Sequence, residues 1–356
     1  MQEKKQRVLS KGTGVYKKSV SFFIVGILVG IVVSTFGFVW FVRSRNLASD
    51  QQQQSEQVII KLAHGLDQFH PVHKGMEFLA QQAAELSDGR MKLEIYPNGQ
   101  LGSETETVEQ LQHGGLDMAK VSAAVLENFV PEMSVFSIPY IFRDEGHYWR
   151  VLDGPLGREM LLVGQQLGVR GLCYYDSGSR NFYTVSKPVL TPDDLKGQKI
   201  RTMKSATSME IVTTLGGAAT PISWGELYTA LQQKMVDGAE NNPPSFLSNR
   251  HYEVCKHFSM DEHTRIPDIL LMSSITWNKL SPQQQQWLQQ AADQSCQYQK
   301  KLWKEKTAEA LQEVQKHGVK VYYPDKEPFE KKVQPMYEQY KGTKVGQLLD
   351  RIRKTE

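Results

Sequence analysis

The sequence predicts an α/β protein of two lobes around a central cleft, with strands crossing between the lobes and a long helix spanning both. Three observations carry this. From Val58 onward, short apolar runs alternate with longer amphipathic ones. Turn residues near 176–180 and 264–268 mark two passages between two such sets. Residues 281–317 hold a helical pattern with no interior Pro or Gly. At 356 residues the chain can bury two cores, taking about 100–200 residues per domain.

The N-terminal stretch reads differently. Residues 1–45 hold eight Lys or Arg against one Glu, so the rest of a chain of formal charge +3 is mildly acidic. That leaves no electrostatic case for nucleic acid as a partner. Residues 19–42 contain no charged side chain and are dominated by Ile, Val, Phe and Gly. About 20 apolar residues suffice to span a bilayer core. Six basic residues precede the run and two follow it, which assigns residues 1–18 as a cytoplasmic tail and sends the rest outside. A cleaved signal peptide is the alternative, but a signal core is about 7–15 residues long and is followed by small residues. Phe38, Trp40, Phe41, Arg43 and Arg45 stand there instead. The expectation is an uncleaved transmembrane anchor over 19–42 and a polar linker over 43–57, which includes Gln51 to Gln54.

Val58–Ala63 reads as a strand, and 72–86 as a helix stopped by the Asp88-Gly89 turn. Met91–Tyr96 alternates faces as a strand and closes at Pro97-Asn98-Gly99. Ser103 caps a helix and Glu106, three residues on, completes a capping box. That helix ends at Gly114-Gly115, and 116–121 form the next strand. This order implies a parallel sheet with right-handed crossovers. Residues 156–167 read as a helix up to Gly168, feeding the strand Val169–Tyr175. In a second set, Thr191-Pro192 opens a short helix, 199–203 form a strand and 208–215 a helix. Ser223 then caps a helix over 225–233, and 236–240 form a strand. Residues 269–276 read as a strand returning to the first sheet. The expected division is 58–178 with 266–303 in lobe I, 179–265 with 304–340 in lobe II, and 341–356 as a C-terminal tail. About 36 helical residues from 281 reach roughly 54 Å, unless the segment is two helices bent near Tyr298.

No dinucleotide fingerprint, phosphate loop, nucleophile elbow or zinc-protease motif occurs. The chain therefore reads as a non-enzyme with no cofactor. His64, His70 and His73 cluster near the first strand, but no convincing third ligand accompanies His70 and His73. Capping, or polar contacts to a ligand in a cleft, is the reading there. Cys173, Cys255 and Cys296 are odd in number and widely spaced, which suits buried thiols with one disulfide allowed outside the cell.

Two arginines stand out. Arg180 ends Ser177-Gly178-Ser179-Arg180, a small-residue, flexible loop at a lobe passage, and Arg201 alternates with apolar neighbours on a strand. A guanidinium pairs both oxygens of a carboxylate and keeps its charge when desolvated; an interlobe salt bridge is the alternative use of either. Trp224 follows a turn and precedes a helix, setting an aromatic face at a cleft edge unless it joins a core. Asn241 ends a strand ahead of Asn242-Pro243-Pro244, where an amide reads ligand oxygens or builds the turn. Glu104, next to the Ser103 cap, accepts ligand hydroxyls or only serves the helix dipole.

In order along the chain stand Pro97-Asn98-Gly99-Gln100-Leu101-Gly102, Ser179-Arg180 and Leu195-Lys196-Gly197-Gln198-Lys199-Ile200-Arg201. Thr220-Pro221-Ile222-Ser223-Trp224-Gly225-Glu226-Leu227-Tyr228 and Asp237-Gly238-Ala239-Glu240-Asn241 follow. This set, within residues 58–340, resembles the substrate-binding proteins of TRAP transporters, which are tripartite, ATP-independent uptake systems driven by ion gradients. The resemblance implies a two-lobed, periplasmic-binding-protein-like fold. It implies that Arg180 pairs with a substrate carboxylate, Arg201 adds a second contact, Trp224 lies against the ligand and Asn241 binds it. The implied partners are a small organic acid and the membrane permease subunits. Glu104, His64 and His73 would add polar contacts, which favour a hydroxylated acid. The Glu240-Asn241-Asn242-Pro243-Pro244 run and the His-rich start resemble the branch associated with sugar acids such as uronates. A C4-dicarboxylate is the alternative ligand, and a membrane-tethered ligand sensor the alternative role. Most members of that family are released by signal cleavage or held by lipid. An uncleaved helix would instead tether this one to the periplasmic side of the inner membrane.

Overall fold

The computed structural model describes residue 30, residues 33–44 and residues 57–356. It separates into two compact units, Met1–Gln57 and Val58–Glu356. In the first, residues 33–44 are helical, with Val33, Phe36, Phe38 and Trp40 exposed. Among the described residues no helix is long and apolar enough to cross a membrane. The rest of the 19–42 run, the tail 1–18 and nearly all of the linker lie outside the described residues.

The second unit holds the strands β1 (Val58–Ala63), β2 (Met91–Tyr96), β3 (Met118–Ser122), β4 (Val169–Tyr175), β5 (Arg180–Thr184) and β6 (Lys199–Thr202). It continues with β7 (Ala218–Pro221), β8 (Gly238–Asn241), β9 (His257–Thr264), β10 (Asp268–Ser273) and β11 (Lys320–Tyr322). They form two sheets, ordered β2-β1-β3-β10-β4 and β11-β9-β5-β8-β6-β7. β1 runs parallel to β2 and β3, as helical crossovers require. β10 is antiparallel to both β3 and β4 because it arrives from the other sheet. β5 enters the second sheet in the same way, antiparallel to β8 and β9. The passages β4→β5 and β9→β10 are thus the two crossings, and each sheet is the centre of one lobe.

Both faces of each sheet are covered, which explains the continuous apolar run of β10. Ile269 and Leu271 pack with Val121, Phe136 and Tyr148 on one face, while Leu270 and Met272 pack with Met76, Leu79 and Ala292 on the other. In the second sheet the neighbours Phe182 and Tyr183 enter opposite cores. The alternation follows directly from the two-residue period of a strand.

The 281–317 pattern is one helix, Pro282–Lys316, of 35 residues, about 52 Å long. Its N-cap Ser281 and Gln284 complete a capping box. Ala291, Ala292, Cys296 and Trp303 enter the lobe I core, and Val314 enters a lobe II core. The helix therefore braces both lobes. The final residues are not a free tail: the helix Lys344–Lys354 buries Leu348, Leu349 and Ile352 in the lobe I core.

Candidate functional site

A cavity of about 460 Å³ lies between the C-terminal edges of the two sheets, lined from lobe I by Glu104, Lys120, Ser122 and Asp268 and from lobe II by Arg180, Arg201, Trp224, Asn241 and Asn242. Strand ends at a sheet edge are where an α/β architecture presents side chains to a ligand.

Arg180 opens β5 and is buried, 6% exposed. The segment before it is no free loop. Gly178 N–H donates to Asp176 Oδ1 at 2.8 Å, and Ser177 Oγ donates to the Ile266 carbonyl on the other crossing. Gln299 of the long helix donates to the Asp176 carbonyl and accepts from its N–H, both at 2.8 Å. Gly178 sits at φ +59°, and a Cβ there would come within 2.9 Å of Trp303 Nε1. The glycine is there for close approach rather than for flexibility.

The Arg180 guanidinium is gripped by Glu240. Nε donates to Glu240 Oε2, and Nη2 donates to Oε1 and to the Glu240 carbonyl, each at 2.8 Å. Nη1 donates to Asn241 Oδ1 at 3.1 Å. Behind this pair, His263 Nε2 lies 3.5 Å from Glu240, and His263 Nδ1 lies 2.6 Å from Asp261 Oδ2. Burial works against the imidazolium, but Asp261 and Glu240 outweigh it and raise His263 to about 9. Burial likewise opposes the Glu240 carboxylate, yet Arg180 and His263 bring it down to about 2. Asp261, His263, Glu240 and Arg180 thus form a buried row of alternating charge reaching from β9 to the cavity.

Arg201 is placed differently. It is 2% exposed, its Nε donates to the Ile222 carbonyl at 2.8 Å, and its guanidinium lies 5.6 Å from the Trp224 ring centre. Its Nη1 is buried and, among the described residues, has no hydrogen-bond partner. Burial outweighs the field of Tyr183 and Glu240 and lowers its pKa to about 10, which still leaves it charged at neutral pH. Trp224 Nε1 is also buried and unpartnered among the described residues.

Glu104, the first residue of the helix Glu104–His113, accepts from Lys120 Nζ at 2.7 Å and from Ser122 N at 3.3 Å. Lys120, 4% exposed on β3, also donates to Asp268 Oδ1 at 3.3 Å. Asn241 Oδ1 accepts from Arg180 and from Asn242 N, and Asn242 caps the helix Pro243–Ser248.

The cavity therefore gathers Glu104, Arg180, Arg201, Trp224 and Asn241. It does not gather His64 and His73. His64 Nε2 and His73 Nδ1 are 2.9 Å apart, His64 Nδ1 accepts from Leu66 N, and His73 Nε2 meets Glu77 at 3.2 Å. Burial, reinforced by Lys120, brings His64 down to about 2, so it is neutral and its nitrogens are committed to neighbours. His70 caps the helix Pro71–Leu86 and reaches Ser245 Oγ at 3.1 Å. Among the described residues no cluster of metal-ligating side chains occurs. Sequence reasoning missed Lys120, Asp268 and His263. Lys120, a charge set between Ala119 and Val121 on an expected strand, carried the same signal that singled out Arg201.

Residues 62–343 match the family of bacterial extracellular solute-binding proteins, family 7, of DctP type. The chain belongs to this family. Its members include the binding proteins of TRAP transporters, and this chain is one of them. It is 42% identical to the uncharacterised protein YiiZ of Salmonella typhimurium, over 80% of this chain and 88% of that one. A crystal structure of a TRAP periplasmic solute-binding protein from Bradyrhizobium, in complex with D-galacturonate, superposes with a TM-score of 0.81. That pair shares 39% identity over 83% of this chain and 99% of that one. A second, from Anaerococcus prevotii with bound D-glucuronate, gives a TM-score of 0.82 and 33% identity over 84% and 98% of the two chains. The two-lobed fold is shared with these proteins, and the family's extracellular placement puts the protein outside the cytoplasm.

Proposed function

We propose that this protein captures a hydroxylated monocarboxylate, a sugar acid of the hexuronate class, by closing its two lobes, and delivers it to the membrane permease subunits of a TRAP transporter. The observation that carries the ligand class is the unequal state of the buried cations. Lys120 is paired with Glu104 and Asp268, and Arg180 with Glu240, whereas Arg201 has no carboxylate partner among the described residues. A ligand carboxylate on Arg201, with Arg180 Nη1 and Asn241 beside it, supplies the missing charge-assisted hydrogen bonds. Glu104, Lys120 and Asp268, facing from lobe I, offer acceptors and a donor for hydroxyls. Among the described residues a dicarboxylate has no second unpaired buried cation in the cavity to meet, and Lys204, which also lines it, is exposed. The galacturonate and glucuronate bound by the two similar proteins support the same class.

The test is a thermal-shift and calorimetric panel of galacturonate, glucuronate, aldonates, succinate and malate. Uronates are expected to stabilise the protein by about 2.7 kcal/mol at 100 times their dissociation constant. Tenfold tighter binding of succinate or malate would overturn the assignment in favour of the dicarboxylate.

We further propose that residues 19–42 tether the protein to the membrane, because the run is long enough and carries basic flanks. Carbonate washing should leave the full chain in the membrane fraction; a shorter soluble form starting after residue 42 would show cleavage instead.

A further inference from the structure

We propose that Cys173 and Cys296 form a disulfide once the chain is exported, stapling β4 to the long helix. Cys296 Sγ donates to the Tyr174 carbonyl, next to Cys173 in the chain, at 2.9 Å, which sets the helix thiol against the backbone of β4. Both are buried in the same lobe I core. Cys255, the only other cysteine of the chain, lies in a core of lobe II and offers no competing partner. Two thiols of one core, carried by elements packed against each other, are joined by a bond of about 2.05 Å when they oxidise. The family's extracytoplasmic placement puts them in a compartment where disulfides persist. The proposal rests on that placement and not on the identity of the ligand.

The step balances by thiol–disulfide exchange. A disulfide-bearing oxidoreductase is attacked by the thiolate of one cysteine, giving a mixed disulfide. The other cysteine then displaces the enzyme's sulfur, leaving Cys173–Cys296 oxidised and the oxidoreductase as a dithiol, with two electrons and two protons transferred. Because both thiols are buried in the native state, the exchange takes place before the helix docks. The staple fixes a particular stretch of the helix. Gln299, three residues beyond Cys296, holds the Asp176 backbone, and Trp303 closes on Gly178. The bond therefore ties the helix to lobe I at the point where the chain crosses to lobe II.

The experiment uses the full chain exported to the periplasm of a Gram-negative host and purified without reductant. Alkylation in denaturant should label one thiol, Cys255, and a non-reducing digest should contain a linked Cys173–Cys296 peptide. Reduction should expose two further thiols and lower Tm by about 5 °C or more. Cys173→Ala and Cys296→Ala should each leave the partner alkylatable and melt like the reduced protein. Three labelled thiols in the exported wild type, or a link through Cys255, would overturn the proposal whether or not the variants fold.

Discussion

Arg180 and Arg201 share one cavity but carry different loads. Arg180 neutralises Glu240, so removing it strands a buried carboxylate. Arg180→Ala should cost about 3–5 kcal/mol of stability as well as ligand affinity. Arg201 has no such dependant. Arg201→Ala should weaken uronate binding by about 2–5 kcal/mol in calorimetry while leaving the ligand-free melting temperature unchanged or raised. Equal losses of stability in both variants would show that Arg201 is a structural ion. The row behind Arg180 makes stability depend on pH in both directions. His263 is raised from 6.5 to about 9, so the stability it contributes is complete below 6.5 and is lost as pH rises through about 9. Glu240 is depressed from 4.5 to about 2, so its contribution is complete above 4.5 and is lost as pH falls through about 2. The ligand-free protein should therefore be most stable between these limits and lose stability toward pH 9. His263→Gln should flatten that alkaline limb in a melting series.

At the scale of elements, one lobe-to-lobe contact stands beside the ligand cavity. Glu127, following β3, accepts from Ser205 Oγ at 2.7 Å and from Thr207 N at 3.0 Å, at the N-terminus of the helix Ala206–Leu215. Asn128 Nδ2 adds a bond to the Lys204 carbonyl at 2.6 Å. A carboxylate at a helix N-terminus is favoured by about 0.3–1 kcal/mol, and up to about 2 when partly buried. Glu127→Gln should loosen closure and raise the uronate Kd about fivefold without changing selectivity; an unaltered Kd would assign the contact to packing alone. Legibility also divides by element. β1, β2 and β4 occupy the expected residues because apolar runs bounded by turn residues mark them. β9 escaped because His257, Asp261 and His263 give it the composition of a surface segment. Asp261 and His263 are buried there by pairing with each other, His263 with Glu240 and Asp261 Oδ1 with Phe182 N at 2.9 Å. The expected strand over 269–276 stops at Ser273, where the short helix Ser274–Lys279 begins.

For the whole molecule, closure depends on how the two crossings and the long helix are joined. Ser177 bonds one crossing to the other, and Gln299 bonds the first crossing to the helix. Gln299→Leu leaves the Asp176 N–H and carbonyl buried without these partners, at about 1–3 kcal/mol for each unsatisfied group. The variant should melt lower and show a ligand-free scattering profile more expanded than the wild type; an unchanged profile would remove the helix from the hinge. A ligand draws such a hinge shut only through its preference for the closed state, and contacts from both lobes to one small acid provide that preference.

The two lobes, the crossings, the bracing helix and the candidacy of Arg180, Arg201, Asn241, Trp224 and Glu104 are legible along the chain before it folds. Each of these is written in local periodicity, turn chemistry or a charge set among apolar neighbours. Folding alone settles which of the buried charges are already satisfied. It turned His64 and His73 toward each other and Leu66, and bound Arg180 to Glu240 across neighbouring strands. It also left Arg201 beside Trp224 with a donor that has no partner among the described residues. The reason is physical: an ion pair joins residues such as 180 and 240 through strand register, and register between distant segments is not recorded in the pattern of either one.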